Sequence, residues 1–428
     1  MSHGETGQSG DDSPAVTLGK ITAQPNPLPF DMSVPLTLRW ETNASEAEVY
    51  VAEDGAPEKL LTRGRFGSRE VNWIPAGRSY CFRLYTGSDR QLLDEVVVDV
   101  AAIPWRKLLE RVKGAPEGRE YTDGLAEFIG GVLPGCLRRP EFPAWFRRWE
   151  NSGVHVTPVQ FYEPIPDSRT LKDELWTQVH ELVGIDMNEP MQLHLLKEIC
   201  PRFQEECDRI PMESAQAGNG FYLKNGHFQS VDPLVAYCLV RHFRPRQIIE
   251  VGGGYSTLLL ALAARKNGTT ALRTVEPYPV EFLTKGVDGL AELLPDKVED
   301  LPLSYFSELE ENDCLFIDTS HVIRIGGDVN YIFLEVLPRL KPGVIVHIHD
   351  IFFPFDYPKV WVIERRRFWT EQYLLQAFLT CNSDFQVLLS NSYLSTFYPE
   401  ELESVFPRTS SPREGGSFWM RRKPLNSS

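Results

Sequence analysis

The reading of the chain turns on Arg246-Gln-Ile-Ile-Glu-Val-Gly-Gly-Gly-Tyr-Ser-Thr-Leu-Leu-Leu260. Residues 247–251 are a compact apolar run with an acid near its end, which predicts a buried parallel strand. Gly252, Gly253 and Gly254 follow at once; they let the backbone turn tightly and leave room for a ligand to approach it. Ser256 or Thr257 is expected to cap a helix beginning near Leu258, with Leu258, Leu259 and Leu262 facing the sheet. A strand, a glycine turn and a helix N-terminus in this order make a nucleotide-type binding site at the carboxyl edge of a sheet. An ordinary strand–turn–helix connection has the same order but does not need three glycines in a row.

Working outward, 428 residues predict about three domains. A hydrophobic content of 42% is enough for real cores. The net charge of −15 argues against a chain that works by gripping nucleic acid phosphates. The seven cysteines, at 81, 136, 200, 207, 238, 314 and 381, form no CxxC pair, so neither a disulfide framework nor a zinc ribbon is expected. Residues 1–13 read as a disordered polar tail without the basic and apolar regions of a signal peptide. No apolar run reaches transmembrane length, so the expectation is a soluble, cytoplasmic chain with no membrane partner.

From 14 to 103 the pattern is β. Leu36-Thr-Leu-Arg-Trp40, Ala47-Glu-Val-Tyr-Val51 and Ser79-Tyr-Cys-Phe-Arg-Leu-Tyr85 alternate apolar and polar, and residues 92–100 are another β-rich run. Asp54-Gly55, Gly64 and Gly87 punctuate them. Short strands at regular spacing predict a β-sandwich of immunoglobulin or fibronectin-III type, with Trp40 in its core. It holds no catalytic constellation, so a glycan or a protein is its expected ligand. Residues 104–214 read as a mostly helical connecting region, with helices at 105–112, 171–183 and 191–210 around an extended, proline-punctuated segment at 154–167. Asp232-Pro233 is expected to open a helix through Phe243, with the aspartate as its cap.

From 215 to 428 strands and helices alternate. Strands are expected at 247–251, 271–276, 297–300, 313–318, 344–350, 385–389 and 417–421, and helices at 280–290, 331–340 and 368–379. This alternation predicts a doubly wound, Rossmann-like α/β sheet. Acids mark its strand ends. Glu250 precedes the glycine turn, Glu276 ends the next strand, where an acid accepts ribose hydroxyls, and Asp300 is expected to end the third, within reach of an adenine edge.

Two ligands compete for such a crevice. A dinucleotide site wants glycine at the sixth position of its fingerprint, whereas Gly252-Gly-Gly-Tyr-Ser-Thr257 ends in threonine. A pyrophosphate would also be repelled by Glu250. S-adenosylmethionine has no phosphate and carries two positive groups, so charge matching favours the methyl donor. A nucleotide-binding oxidoreductase and a non-catalytic glycan- or protein-binding chain are the alternatives.

Glu250-Val-Gly-Gly-Gly-Tyr-Ser-Thr257, Val275-Glu-Pro277, Cys314-Leu-Phe-Ile-Asp-Thr-Ser-His321, His347-Ile-His-Asp-Ile351 and Gly416-Ser-Phe-Trp-Met-Arg-Arg422 together resemble a class I S-adenosylmethionine-dependent methyltransferase, in particular the bacterial group that methylates small molecules and sugars. The resemblance covers roughly 215–423. It implies a seven-stranded sheet with the last strand antiparallel, O-methylation of a small-molecule or sugar hydroxyl, and donor contacts at Glu250, Gly252, Gly254 and Glu276, with Asp300 as a further candidate. Ser256 is counted with the candidate cofactor-binding residues.

A second cluster concerns the acceptor. Asp318 and His321 follow the fourth strand, and His349 and Asp350 end the fifth, so neighbouring strand ends are expected to bring them together. Carboxylates and imidazoles suit a divalent cation such as Mg2+, with Asp318, His349 and Asp350 as candidate ligands. This position resembles the magnesium site of catechol-type O-methyltransferases, from which the histidine at 349 departs. Equally, His321 or His349 serves as general base, making Asp318, His321 and His349 the candidate catalytic residues. A third reading has His347 and His349 merely alternating along a strand, one facing each side. Tyr162, Tyr222, Tyr357 and Trp369 are candidate acceptor walls, and residues 351–358 a candidate lid or simple packing. Arg365-Arg-Arg367 is either a solvated run or a grip for an acidic acceptor. Nucleic acid is not an expected partner; a homo-oligomer is left open.

Overall fold

The computed structural model describes residues 17–28, 35–71, 73–74, 78–87, 89–100, 119–137, 142–409 and 415–423. The tail expected at 1–13 and the helix expected at 105–112 lie outside them. The chain forms two compact units, Met1–Pro164 and Ile165–Ser428.

The first unit holds β1 (Gly19–Gln24), β2 (Leu36–Thr42), β3 (Ala47–Glu53), β4 (Lys59–Arg63), β5 (Phe66–Val71), β6 (Ser79–Thr86) and β7 (Leu92–Asp99). They pair as two antiparallel sheets, β1-β2-β5 and β4-β3-β6-β7. Side chains alternate across a strand, so β2 buries Leu36, Leu38 and Trp40 while β6 buries Tyr80, Phe82 and Leu84. Both sets share one core with Ile21, Val49 and Val98. Trp40 sits in that core as expected, its indole N–H satisfied by the Gly64 carbonyl at 2.9 Å. The helices Arg119–Cys136 and Phe142–Asn151 follow in sequence.

The second unit is built on one seven-stranded sheet, ordered β10-β9-β8-β11-β12-β14-β13. Its strands are β8 (Gln247–Val251), β9 (Ala271–Val275), β10 (Leu290–Leu294), β11 (Cys314–Ile317), β12 (Ile345–Ile348), β13 (Phe385–Ser390) and β14 (Phe418–Arg422). The pairs from β10 through β12 are parallel, and β14 slots in antiparallel to both its neighbours. Both faces are covered. Ile248, Leu272, Phe316 and Trp419 pack under α1 (Asp232–Phe243) and α2 (Tyr255–Asn267). Ile249, Val251, Leu315 and Val346 pack on the other side with Phe333, Val336 and the Leu375 and Leu379 stripe of α3 (Glu371–Leu379). This two-sided burial is why the central strands are apolar throughout rather than alternating. The architecture is the expected Rossmann-like α/β sheet.

Several local expectations are corrected. The helix expected at 280–290 is only Glu281–Thr284, because Gly286 (φ 93°) and Gly289 (φ 97°) take up left-handed backbone. The released residues Leu290–Leu294 pair with β9 as β10. Asp300 therefore lies in the 3-10 turn Val298–Asp300, beyond Pro295, and not at a strand end. The helix expected at 171–183 is a single 3-10 turn, Asp173–Trp176, and the chain then docks its His180 amide on the Pro354 carbonyl at 2.8 Å. The expected helix at 191–210 is present in pieces, from Glu189–His194 through widened and tightened turns to Gln204–Asp208, with Pro201 interrupting the ladder.

One buried carboxylate joins β8, β9 and α2. Glu250 is fully buried, and its Oε2 accepts from Thr257 of α2 and Thr274 of β9, both at 2.7 Å, while Oε1 has no partner. Burial pushes its carboxyl from 4.5 up to about 7, against the lowering effect of the Thr257, Thr274 and Ser256 hydroxyls. The folded state therefore binds this proton more tightly than the unfolded one. The stability it contributes is complete below about 4.5 and is lost as pH rises through about 7. Denaturant unfolding of Glu250→Gln across this window should show a flatter pH dependence than the parent, with the difference growing toward neutral pH. Parallel curves for the two proteins would contradict the assignment.

Candidate functional site

The glycine turn ends β8 in a way only glycine permits. Gly252 has φ 88°, and a Cβ there would lie 1.7 Å from the carbonyl oxygen of Asp318. A Cβ on Gly253 would meet the Thr274 methyl at 2.5 Å. Gly254, by contrast, faces open space, with nothing within 4 Å. The turn is thus pressed against the end of β11 on one side and open on the other. Adjacent strand ends are laced by backbone bonds: Gly252 N to Val275 O, Asp318 N to Val251 O and His349 N to Ile317 O, at 2.9, 2.9 and 3.0 Å.

The helix begins one turn earlier than expected, at Tyr255 with Gly254 as its capping position. Thr257 accepts the Gly254 amide proton at 3.0 Å from inside the helix, and Ser256 is buried in its first turn. Neither residue precedes the helix. Glu276, just past β9, accepts from the Gly253 amide at 3.1 Å and the Tyr278 amide at 2.8 Å, and is only half-buried. Tyr255 stacks on His227 at 5.3 Å and its hydroxyl lies 3.4 Å from that of Tyr222.

Beside this turn, the ends of β11 and β12 bring Asp318, His321, His349 and Asp350 together. His321 Nε2 lies 3.2 Å from Asp318 and 3.5 Å from Asp350. His349 Nδ1 lies 3.6 Å from Asp318 and 3.5 Å from Asp350. His321 and Asp350 both hold left-handed backbone, φ 59° each, the kind of strain that clusters at functional sites. Asp328 fixes the turn between β11 and His321 by accepting from the Ser320 amide and hydroxyl at 2.9 and 2.7 Å.

Electrostatics follow from this crowding. Burial pushes the His321 imidazole down, but Asp318, Glu371 and Asp350 outweigh it and raise it to about 10. Burial likewise opposes charge on His349, and Asp350, Asp318 and Asp232 hold it well above its ordinary range. Burial raises the Asp318 carboxyl, and the two imidazoles overcome that and hold it far below the usual carboxylate range. His347 behaves oppositely. It is buried against Phe316 at 3.7 Å, bonds Ser417 at 2.9 Å, and burial keeps it neutral well below the ordinary value. Its ring is 5.9 Å from that of His349, so the two do not face opposite sides of the sheet. Residues two apart on a strand share a face.

Two acids that the sequence reading did not assign to the site complete it. Asp232, read as a helix cap, is instead within the helix and buried; it accepts from Gly416 N at 2.9 Å, Ser417 N at 2.8 Å and Asn391 at 2.6 Å, and faces His349 Nε2 at 3.3 Å. Glu371, the first residue of α3, is fully buried and lies 2.8 Å from His321 Nδ1. A helix-start acid followed by apolar residues looks like a cap in sequence; burial is what sets these two apart.

Among the described residues, Asp318, His349 and Asp350 are the group whose ligand atoms, one each, lie within 4.8 Å of one another. Two carboxylates and an imidazole backed by a further carboxylate are a donor set that fits a divalent cation. The open face at Gly254, the half-buried Glu276 and the orphaned hydroxyl of Thr319 next to Asp318 fit a cationic, phosphate-free ligand such as a sulfonium nucleoside. Of the candidate walls, Trp369 leans on His321 at 4.3 Å, whereas Tyr357 is buried with its hydroxyl accepting from Gln372 N, and Tyr162 is exposed in the other unit. Ile351, Phe353 and Tyr357 are buried, so the candidate lid is packed core. A separate open cleft of about 800 Å³, lined by Glu206, Phe221, Tyr237, Leu262, Arg265 and Phe282, shares no residue with the cluster. No described helix is long and apolar enough to cross a membrane.

Residues 249–351 match the family described as methyltransferase domain. An uncharacterized protein of Archaeoglobus fulgidus is 33% identical over 169 residues, 37% of this chain and 76% of that protein. Among solved structures, the plantazolicin methyltransferase BpumL in complex with SAH is similar at 11% identity and a TM-score of 0.29, covering 56% of this chain and 99% of that one. A candidate methyltransferase from Thermobifida fusca YX is similar at 17% identity and a TM-score of 0.32, covering 57% and 97%. The matched segment runs from β8 to the residue after the Asp350 turn, and so contains the glycine turn and the carboxylate–imidazole cluster alike. The chain belongs with the archaeal protein in one family, and its residues 249–351 match the methyltransferase-domain family.

Proposed function

We propose that the second unit is an S-adenosylmethionine-dependent O-methyltransferase acting on a small-molecule or sugar hydroxyl, with a divalent cation held by Asp318, His349 and Asp350. The observation that carries this reading is the contact of Gly252 with Asp318, which sets the donor turn directly against the cluster. Glu276 is positioned at the end of β9 to accept from ribose hydroxyls, and Gly254 leaves the backbone open beside it. Glu250 is the buried brace under the turn. The donor supplies an electrophilic methyl on a good leaving group, and a cation held by Asp318, His349 and Asp350 would lower the pKa of an acceptor hydroxyl so that its proton passes to solvent. The residues of the chain orient the acceptor oxygen and exclude water with Trp369. In this reading the first unit is an immunoglobulin-like sandwich that binds a glycan or protein.

Calorimetric titration of the full chain is expected to show binding of S-adenosylmethionine and none of NAD; binding of NAD alone would make the domain an oxidoreductase. Glu276→Ala should weaken donor binding by about 1–2 kcal/mol, because it removes a ribose acceptor. Asp318→Asn changes charge with little change of shape, so donor affinity should survive while turnover falls by about 10² or more. Chelation followed by restoration with Mg2+ or Mn2+ separates the cation from a purely imidazole-based mechanism: activity that is indifferent to chelation removes the metal from the proposal.

A further inference from the structure

We propose that Arg367 anchors the acceptor through a carboxylate, so that the acceptor is a hydroxy acid whose hydroxyl and carboxylate stand about one ring apart. This rests on the methyltransferase reading above and names the class of its substrate.

In sequence, Arg365-Arg-Arg367 is either a solvated run or a grip for an acidic acceptor. The three side chains stand in different surroundings. Arg365 is exposed, its guanidinium 6.0 Å from the Trp361 ring. Arg366 is also exposed; it takes left-handed backbone at φ 55° and donates to the Ser168 hydroxyl at 3.1 Å. The chain turns there, and the Arg367 amide bonds the Trp361 carbonyl at 2.9 Å. Arg367 is half-buried, with its guanidinium 4.9 Å from the Trp361 ring and 4.8 Å from the Trp369 ring. The two indoles are 5.2 Å apart at 85°, so they make a corner, and cation–π attraction holds the guanidinium in it. The corner is backed by Phe352, 5.1 Å from Trp361, and by buried Tyr357, 6.2 Å from Trp369.

Rings hold this cation but leave its hydrogen bonds unmade. A guanidinium carries five N–H donors, and among the described residues no carboxylate pairs with that of Arg367 and no oxygen accepts from it. Arg241 and Arg273, also half-buried and also over an aromatic ring, each pair with a glutamate, at 2.9 and 2.8 Å. Arg367 has the rings without the acid, in a chain with 59 acidic residues to 44 basic ones. Its place gives the vacancy a use. Trp369, one wall of the corner, also packs on the His321 ring at 4.3 Å, and the next residue, Thr370, bonds the His321 carbonyl through its amide at 2.9 Å. The corner and the carboxylate–imidazole cluster thus share an indole. A ligand with its hydroxyl at the cluster and an anion at Arg367 spans that indole, the width of one aryl or sugar ring. The carboxylates of the cluster repel an anionic acceptor, so an acid binds beside them only with a positive anchor. A planar carboxylate matches the guanidinium fork with two parallel hydrogen bonds.

The test is calorimetric titration of the full chain, with S-adenosylhomocysteine and Mg2+ present, by a set of hydroxybenzoates and uronic acids, each paired with its own carboxamide as the neutral match. At least one acid is expected to bind the parent about tenfold or more tighter than its amide. Arg367→Gln should bring that acid to within about threefold of its amide and leave the amide's affinity unchanged, whereas Arg365→Gln should keep the preference. If Arg367→Gln does not fold, Arg367→Lys, which keeps the charge and loses the fork, must shrink the preference instead. No acid preferred over its amide by the parent overturns the proposal, as does a preference that survives in Arg367→Gln. Equal loss in Arg365→Gln makes the preference a property of the whole basic run and overturns the role of Arg367. S-adenosylhomocysteine titrated alone tests the donor reading separately: a chain that does not bind it loses that reading, while the acid preference measured without it still reports on Arg367.

Discussion

The site depends on one steric constraint, the passage of Gly252 over the end of β11. A Cβ at this position would overlap the Asp318 carbonyl, and the backbone is left-handed besides. Any other residue would push β8 and β11 apart at their carboxyl ends or re-route the turn. Because the turn stays flush with Asp318, the open side of Gly254 and the acids lie at neighbouring strand ends, which is what the proposed donor site requires. The remaining devices maintain this approach. Glu250 braces the turn from below through Thr257 and Thr274, and Asp328 fixes the chain leaving Asp318 through Ser320.

The cluster beyond the turn concentrates four carboxylates around two imidazoles in a mostly buried volume. Such a group is stable only if each acceptor finds a donor or a positive charge. Asp232 achieves this with three protein donors before His349 is counted. Glu371 has only His321, and its second oxygen is buried without a partner. Burial accordingly raises the Glu371 carboxyl, whereas at Asp232 the His349 imidazole, helped by Asn391 and the Gly416 amide, overrides burial and lowers it. The two acids differ in electrostatic character although both stand behind an imidazole.

Much of this was legible in the sequence because parallel α/β sheets converge at their carboxyl ends. Once β8, β11 and β12 are recognised, the residues after them must meet, and Asp318, His321, His349 and Asp350 do. The partners behind the imidazoles were not legible. Asp232 is 117 residues from His349 and Glu371 is 50 from His321, and each opens a helix, where an acid reads as a cap. The third strand was misplaced because Leu290–Leu294 is as compatible with a helix as with a strand. The left-handed Gly286 and Gly289, which decide the matter, announce themselves only in the backbone. The start of α2 moved for a related reason: Thr257 caps from within the helix while also holding Glu250, a double duty that spacing does not reveal.

The most direct measurement of the central claim is a crystal structure of the full chain with S-adenosylhomocysteine. The account predicts the ribose on Glu276, the backbone of Gly252 and Gly254 against the ligand, and its sulfur facing the space between Asp318, His321, His349 and Asp350. Ligand bound instead in the separate cleft between Phe221, Leu262 and Phe282, with the glycine turn empty, would contradict it.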